Sequence, residues 1–134
     1  MSKAMLQLDL LPEPLALLRL SAASPVPDWT TAARHFLSIT RTPTELSIVV
    51  DDTVVPNEVS AERPYRAFRV RGPLPLHWVG VMAALAAPLA AAGVSIFPIA
   101  TYDTDYLLVK AEDTVRAQQA LADAGHQVAE ATGV

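Results

Sequence analysis

Residues 66–71, Arg-Ala-Phe-Arg-Val-Arg, alternate polar and apolar at period two, which predicts a half-buried strand with its arginines on the wet face. Gly72-Pro73-Leu74-Pro75 follows as a turn, with Pro75 suited to the first turn of a helix. A helix is predicted over 76–92, rich in alanine and leucine and closed by Gly93 as its C-terminal cap; Pro88 inside it removes one backbone hydrogen bond and kinks or shortens the last turn. The run from Val94 to Ile99 is apolar at successive positions and reads as a strand covered on both faces. Thr101-Tyr102-Asp103-Thr104 has hairpin chemistry, and Asp105 to Lys110 is the next strand. Asp113 is the predicted N-cap of a second helix through Ala124, with Val115, Ala117, Leu121 and Ala124 at helical spacing and Gly125 just past its end. Gln127 to Ala129 begins a final short strand. Strand, helix, strand, strand, helix, strand is the α+β, ferredoxin-like split βαβ order, an antiparallel sheet with two helices on one face.

The first half carries a worn copy of that pattern. Leu17-Leu18-Arg19-Leu20 matches Ala67-Phe68-Arg69-Val70, and Pro25-Val26-Pro27 matches Pro73-Leu74-Pro75, each followed by a tryptophan, Trp29 or Trp78. Residues 37–50 align with 97–110 as hairpins that share a Thr-acid pair, Thr44-Glu45 and Thr104-Asp105. Between Trp29 and His35 there is room for only one or two helical turns, so the first copy is a shortened module; it is expected to share a core with the second. The acid-rich stretch from Asp51 to Arg63 reads as a solvated connection with a turn of helix. The division expected from the repeat is 1–60 for the shortened module with its linker and 61–134 for the complete one.

Composition removes several function classes. A net charge of −4 has the wrong sign for gripping phosphate backbones, so no nucleic-acid partner is expected. The chain has no cysteine, which excludes disulfides, thiolate metal sites and cysteine nucleophiles. Residues 78–100 carry no charge, but Pro88, Gly93 and Pro98 interrupt them, and a helix followed by a strand explains them better than a membrane span. Residues 1–20 mix charges and prolines and do not read as a signal peptide, leaving a cytoplasmic address as the default. His35, His77 and His126 are far apart and lack partners at metal-ligand spacing, with His77 reading as a cap or solvent-facing residue near the helix start. No Gly-x-Ser-x-Gly elbow and no phosphate-binding glycine pattern is present, so neither catalysis nor a cofactor is expected.

What remains binds rather than reacts. The turn from Gly72 to Leu76 feeds a helix start whose unsatisfied N–H groups attract an anion such as a carboxylate. Gly80, one turn into the predicted helix, allows close approach of a ligand or tight helix-to-sheet packing. Opposite it the hairpin presents Thr101, Tyr102, Asp103 and Asp105, a hydroxyl, an aromatic wall and carboxylates able to accept from an ammonium group. Asp103 reads first as a turn former, and Asp105, at the mouth of a strand, is the better ligand candidate.

Three segments carry a family resemblance: Pro64-Tyr65-Arg66-Ala67-Phe68-Arg69-Val70-Arg71-Gly72-Pro73-Leu74, residues 85–97 (Leu-Ala-Ala-Pro-Leu-Ala-Ala-Ala-Gly-Val-Ser-Ile-Phe), and residues 100–110 (Ala-Thr-Tyr-Asp-Thr-Asp-Tyr-Leu-Leu-Val-Lys). They resemble bacterial tandem ACT-domain proteins, similar to the regulatory lobes of aspartate kinases and to cytosolic arginine sensors. The resemblance implies two ferredoxin-like ACT modules (βαββαβ) packed side by side, the first shortened, with an amino-acid pocket at the module interface. By position it points to Leu74, Gly80 and Val81 on one side and to Ile99, Thr101, Tyr102 and Asp105 on the other. Ala100-Thr101 stands where many relatives have a Ser-Thr pair, so one hydroxyl is missing. The function implied is non-catalytic: a regulatory protein that binds a small molecule, an amino acid. The alternative is an interaction protein that oligomerises without a ligand. An exposed sheet edge makes a homodimer the expected assembly.

Overall fold

The computed structural model describes residues 5–75 and 78–131. It separates into two compact units, Glu13–Tyr65 and Met1–Pro12 with Arg66–Val134, so the chain leaves the second unit after its first strand and re-enters it within a later one. The repeat alone suggests 1–60 and 61–134; the contacts group the N-terminal strand with the C-terminal residues instead.

That strand, β1 (Gln7–Leu10), comes from an alternation, Leu6-Gln7-Leu8-Asp9-Leu10, whose leucines are buried. In its own unit it pairs antiparallel with the end of β5 (Glu62–Val70), Leu8 opposite Val70 and Leu10 opposite Phe68, and parallel with β8 (Gln127–Glu130). On the other side β5 pairs with β7 (Asp105–Lys110), which pairs antiparallel with β6 (Phe97–Ala100). The unit's sheet thus runs β6-β7-β5-β1-β8, five strands where the pattern predicts four. Helices α1 (Val81–Ala91) and α2 (Thr114–Asp123) cover one face, where Leu85, Leu89, Ala117 and Leu121 pack with Leu8, Leu10, Phe68, Val70, Leu107 and Val109. By alternation, Gln7, Asp9, Arg69, Arg71 and Tyr106 belong to the opposite face.

Several elements differ from their sequence-predicted form. Helix α1 starts at Val81, not at residue 76, because Gly80 sits in the left-handed region (φ 81°) and serves as the N-cap, so it is not inside the helix. Leu76 and His77, predicted at the helix start, lie outside the described residues. β6 is an exposed edge strand, not one covered on both faces; only Val94, upstream of it, is buried. In α2 the buried positions are Thr114, Ala117 and Leu121, while Val115 is 77% exposed. Asp113 occupies the N-cap position without a side-chain cap bond, since its carboxylate takes the Arg116 guanidinium at 2.7 Å.

Pro88 lies inside α1 and leaves the Ala84 carbonyl without its usual helical donor. Buried His126 fills the gap: its Nδ1 accepts the Leu6 N–H (3.1 Å), which assigns the ring proton to Nε2, 3.2 Å from the Ala84 oxygen.

The other unit is the shortened copy. β2 (Leu15–Leu20), β3 (Leu37–Arg41) and β4 (Leu46–Asp51) form an antiparallel sheet with the start of β5, in the order β3-β4-β2-β5. Single 3-10 turns, Asp28–Ala32 and Asp52–Val54, stand where helices would be. It does not rely on a shared core: Ala16, Leu18, Leu46, Ile48, Val50 and Val55 form a cluster of their own, with Trp29 and Leu20 against it. Nor is the acid stretch wholly solvated. Asp51 is buried, and its carboxylate accepts the backbone N–H groups of Arg34, His35 and Phe36 at 2.8–3.3 Å, while Asp52 pairs with Arg63 at 2.6 Å. Those bonds satisfy backbone donors that a longer helix would have used itself.

The repeat is real but shifted by one residue. Thr42 N–H donates to Glu45 O and Thr101 N–H to Thr104 O, so the two turns superpose as Thr42 on Thr101, not Thr44-Glu45 on Thr104-Asp105. With that register the buried Leu46, Ile48 and Val50 correspond to Asp105, Leu107 and Val109, and the core faces agree.

Candidate functional site

The loop before α1 and the β6–β7 hairpin are tied together. The Leu74 N–H donates to the Asp103 carbonyl at 2.8 Å, and the buried Thr104 hydroxyl donates to the Val70 carbonyl at 2.7 Å. Thr101 closes the hairpin with its side chain, the hydroxyl donating to Thr104 O (3.0 Å) and accepting the Thr104 N–H (3.3 Å). Gly72 is pressed into the joint, since a Cβ there would lie 3.1 Å from Asp103 O and from Thr104 Cβ.

Beside this joint, on the face away from the helices, is a cleft of 450 Å³ lined by Asp9, Arg69, Arg71, Gly72, Pro73, Thr101, Asp103, Thr104 and Tyr106. Every one of these residues belongs to the unit of Met1–Pro12 and Arg66–Val134. Its floor is an ion-pair triad. Asp9 Oδ1 accepts from Arg71 Nη2 (2.8 Å) and Nε (3.1 Å), and Oδ2 accepts from Arg69 Nη2 (3.2 Å). The cross-strand register sets this up, placing Arg69 directly opposite Asp9. Asp9 is only 8% exposed. The hydrogen bonds from Arg71 hold its carboxyl below the usual carboxylate range, with burial opposing and Arg69 adding to the effect; Asp9 in turn raises Arg71.

Of the residues singled out from the sequence, Thr101 lines this cleft. Leu74 and Val81 pack against the core beneath it. Gly80 has nothing within 4 Å of where a Cβ would stand, so its glycine answers to the left-handed backbone and not to close packing. Ile99 lies opposite Tyr106, and Tyr102 is 81% exposed at the hairpin tip. Asp105, opposite Ala100, shares the strand face of Leu107 and Val109, away from the cleft, and Asp103 lines it instead. The period-two pattern gives Arg69 and Arg71 as a wet strand face and assigns no role to Asp9. The available signal was a single acid inside an apolar alternation, Leu8-Asp9-Leu10, in a chain with an arginine pair at the same period. The remaining histidine, His35, has its Nδ1 3.5 Å from Glu13 Oε2, and no three metal-binding side chains gather among the described residues. No helix among them is long and apolar enough to cross a membrane.

Family comparison agrees with the ferredoxin-like arrangement of this unit. Residues 60–123 match the ACT domain, and residues 13–58 match a separate N-terminal domain family. The chain therefore carries an ACT domain over residues 60–123. It is similar along nearly its whole length to protein Atu0741 from Agobacterium tumefaciens, with 33% identity over 97% of this chain and 96% of that one and a TM-score of 0.89. Protein VC0802 from Vibrio cholerae shares the fold at 21% identity, covering 90% of each chain with a TM-score of 0.73. So does the aspartate kinase of Clostridium acetobutylicum, at 13% identity and a TM-score of 0.63, over 84% of this chain and 33% of that one. No curated protein sequence matches the chain.

Proposed function

We propose that this protein is a non-catalytic regulatory protein whose ligand is an α-amino acid bound in the cleft on Arg69, Arg71, Thr101 and Asp103. The observation that carries this is the charge left over after internal pairing. Two guanidinium groups share the single Asp9 carboxylate, which leaves one positive charge at the cleft floor, and Asp103 supplies one negative charge at its lip. An amino-acid zwitterion has the complementary pair: a carboxylate suited to a guanidinium fork and an ammonium suited to a carboxylate. The Thr101 hydroxyl adds a neutral partner. Of the residues nominated by the family resemblance, Ile99 and Tyr102 would lie nearest the ligand, and Leu74, Gly80 and Val81 would couple its arrival to the start of α1, while Asp105, on the opposite face of the sheet, would not touch it. An ACT-fold segment makes up part of an aspartate kinase described as an allosteric enzyme, which supports a regulatory role here. We take the protein to be cytoplasmic and homodimeric; the binding test depends on neither.

The test is a thermal-shift screen against the twenty amino acids and their D-isomers, because a ligand that prefers the native state raises the melting temperature. Stabilisation by one or a few L-amino acids is expected, lost in Arg71→Ala. If no amino acid shifts the wild-type protein at millimolar concentration, the role as an oligomerising scaffold takes precedence.

A further inference from the structure

One member of the triad, Arg71, also walls a second cavity. A space of 240 Å³ lined by Gln7, Leu8, Arg71, Gln127, Val128 and Ala129 adjoins the cleft, and Arg71 lines both. Gln7 and Asp9 are two positions apart on β1, so their side chains share a face about 7 Å apart along the strand. A molecule anchored at Arg71 therefore has a side-chain length of room toward β8.

The hydrogen-bonding capacity left free in that second cavity is weighted toward donors and sits beside the Arg71 charge. Arg71 Nη1 donates to Gln7 Oε1 (3.3 Å), and Gln7 Nε2 donates to Gln127 Oε1 (3.3 Å). Each carboxamide oxygen thus already accepts a bond from within the chain. The Gln127 NH2 and the second N–H of Gln7 are donors beyond that relay, and neither Leu8, Val128 nor Ala129 brings a side-chain polar atom. Register holds the two glutamines in place, since Gln7 lies directly opposite Gln127 in the parallel β1–β8 pair.

We propose that this cavity is the side-chain subsite of the ligand, with Gln7 and Gln127 as the specificity-determining residues, and that it selects an amino acid whose side chain ends in a planar acceptor, a carboxamide or a carboxylate. This rests on amino-acid binding at the neighbouring cleft. Such an end meets donors from both glutamines, whereas an aliphatic end would strip water from them without replacing its bonds, and an ammonium end would face donors and the Arg71 charge.

Titration calorimetry on the wild-type protein with L-glutamine, L-glutamate, L-asparagine, L-aspartate, L-norvaline and L-lysine tests it. At least one of the first four is expected to bind roughly tenfold tighter than L-norvaline, the worth of one or two net hydrogen bonds, and L-lysine weakest of all. The carboxamide and carboxylate arms tell which acceptor is used. In Gln127→Val the ratio over L-norvaline is expected to collapse toward one, with circular dichroism checking that the variant is folded. Binding of L-norvaline as tight as the best of the four overturns the subsite while leaving amino-acid binding intact. Absence of binding by all six, in a protein that the full screen shows to bind some other amino acid, also overturns the subsite alone; absence of binding by every amino acid overturns both.

Discussion

Asp9 joins two strands by charge as well as by backbone pairing, and its carboxyl is held below the usual range chiefly by Arg71. A carboxyl lowered by folding adds stability that is fully present above its unfolded value and is lost as pH falls through its lower folded value. Asp9→Asn is therefore expected to be about 1–3 kcal/mol less stable near neutral pH, the range for a buried charge-assisted bond. The difference between variant and wild type should narrow in acid below the ordinary carboxylate range. Urea unfolding of both proteins across that range checks it, and a gap that stays constant with pH would remove the ion pair as its cause. Arg69 and Arg71 could be read from the sequence as one face of a strand, because alternation alone fixes a face. That they converge on Asp9 could not, because the partner strand lies about sixty residues away and is chosen by topology. For the same reason Asp105 looked the better ligand than Asp103: the sequence marks both as acids at a hairpin, and only the register decides which side of the sheet each one takes.

At the scale of elements, helix α1 is completed by a residue from outside it. A proline in a helix interior costs about 3 kcal/mol, partly through the donor it lacks, and here His126 supplies a donor to Ala84 in its place. Removing the imidazole with His126→Ala leaves the Ala84 carbonyl and the Leu6 N–H without partners, at roughly 1–3 kcal/mol for each buried group. Pro88→Ala restores an N–H positioned to serve Ala84 from within the helix. In a double-mutant cycle the loss from His126→Ala is thus expected to be about 1 kcal/mol smaller in the Pro88→Ala background. Purely additive effects in urea unfolding would mean that the histidine and the proline are independent. Sequence pattern predicted the proline's disruption but not its remedy, since the histidine lies 42 residues from the carbonyl it serves. The elements legible in the sequence are those with strong local signals: β7 with its apolar run Leu107-Leu108-Val109, α2 between Asp113 and Gly125, and both hairpins. The start of α1 is not legible in the sequence, because Gly80 looks like a helix interior residue when only its helix-forming neighbours are seen. A Thr-acid pair near both turns suggests a register one residue from the true one, which the turn hydrogen bonds and the alternation of core positions fix.

At the scale of the whole molecule, the shortened module is an insertion between two strands that are partners. Leu8 pairs with Val70 and Leu10 with Phe68, and the Leu11 N–H donates to Ala67 O at 2.9 Å, so the same register brings Pro12 and Arg66 opposite each other. Two antiparallel strands whose ends meet can be joined by a two-residue turn, for which Asn-Gly has the required backbone preference. The unit so closed keeps its entire core, from Leu6 through Leu121, because none of that cluster falls within residues 13–65. A chain in which residues 13–65 are replaced by Asn-Gly is therefore expected to fold, with a single cooperative urea transition and the circular dichroism of a mixed α/β protein. A broad, non-cooperative transition would mean that the larger unit depends on the inserted one for its stability. Because the residues lining both cavities also lie outside 13–65, the same shortened chain separates two roles for the insertion. Amino-acid affinity within a few-fold of the full protein would assign recognition to the larger unit alone and leave the inserted module free to transmit the signal. A loss of affinity in a shortened chain that still unfolds cooperatively would make the inserted module part of recognition itself.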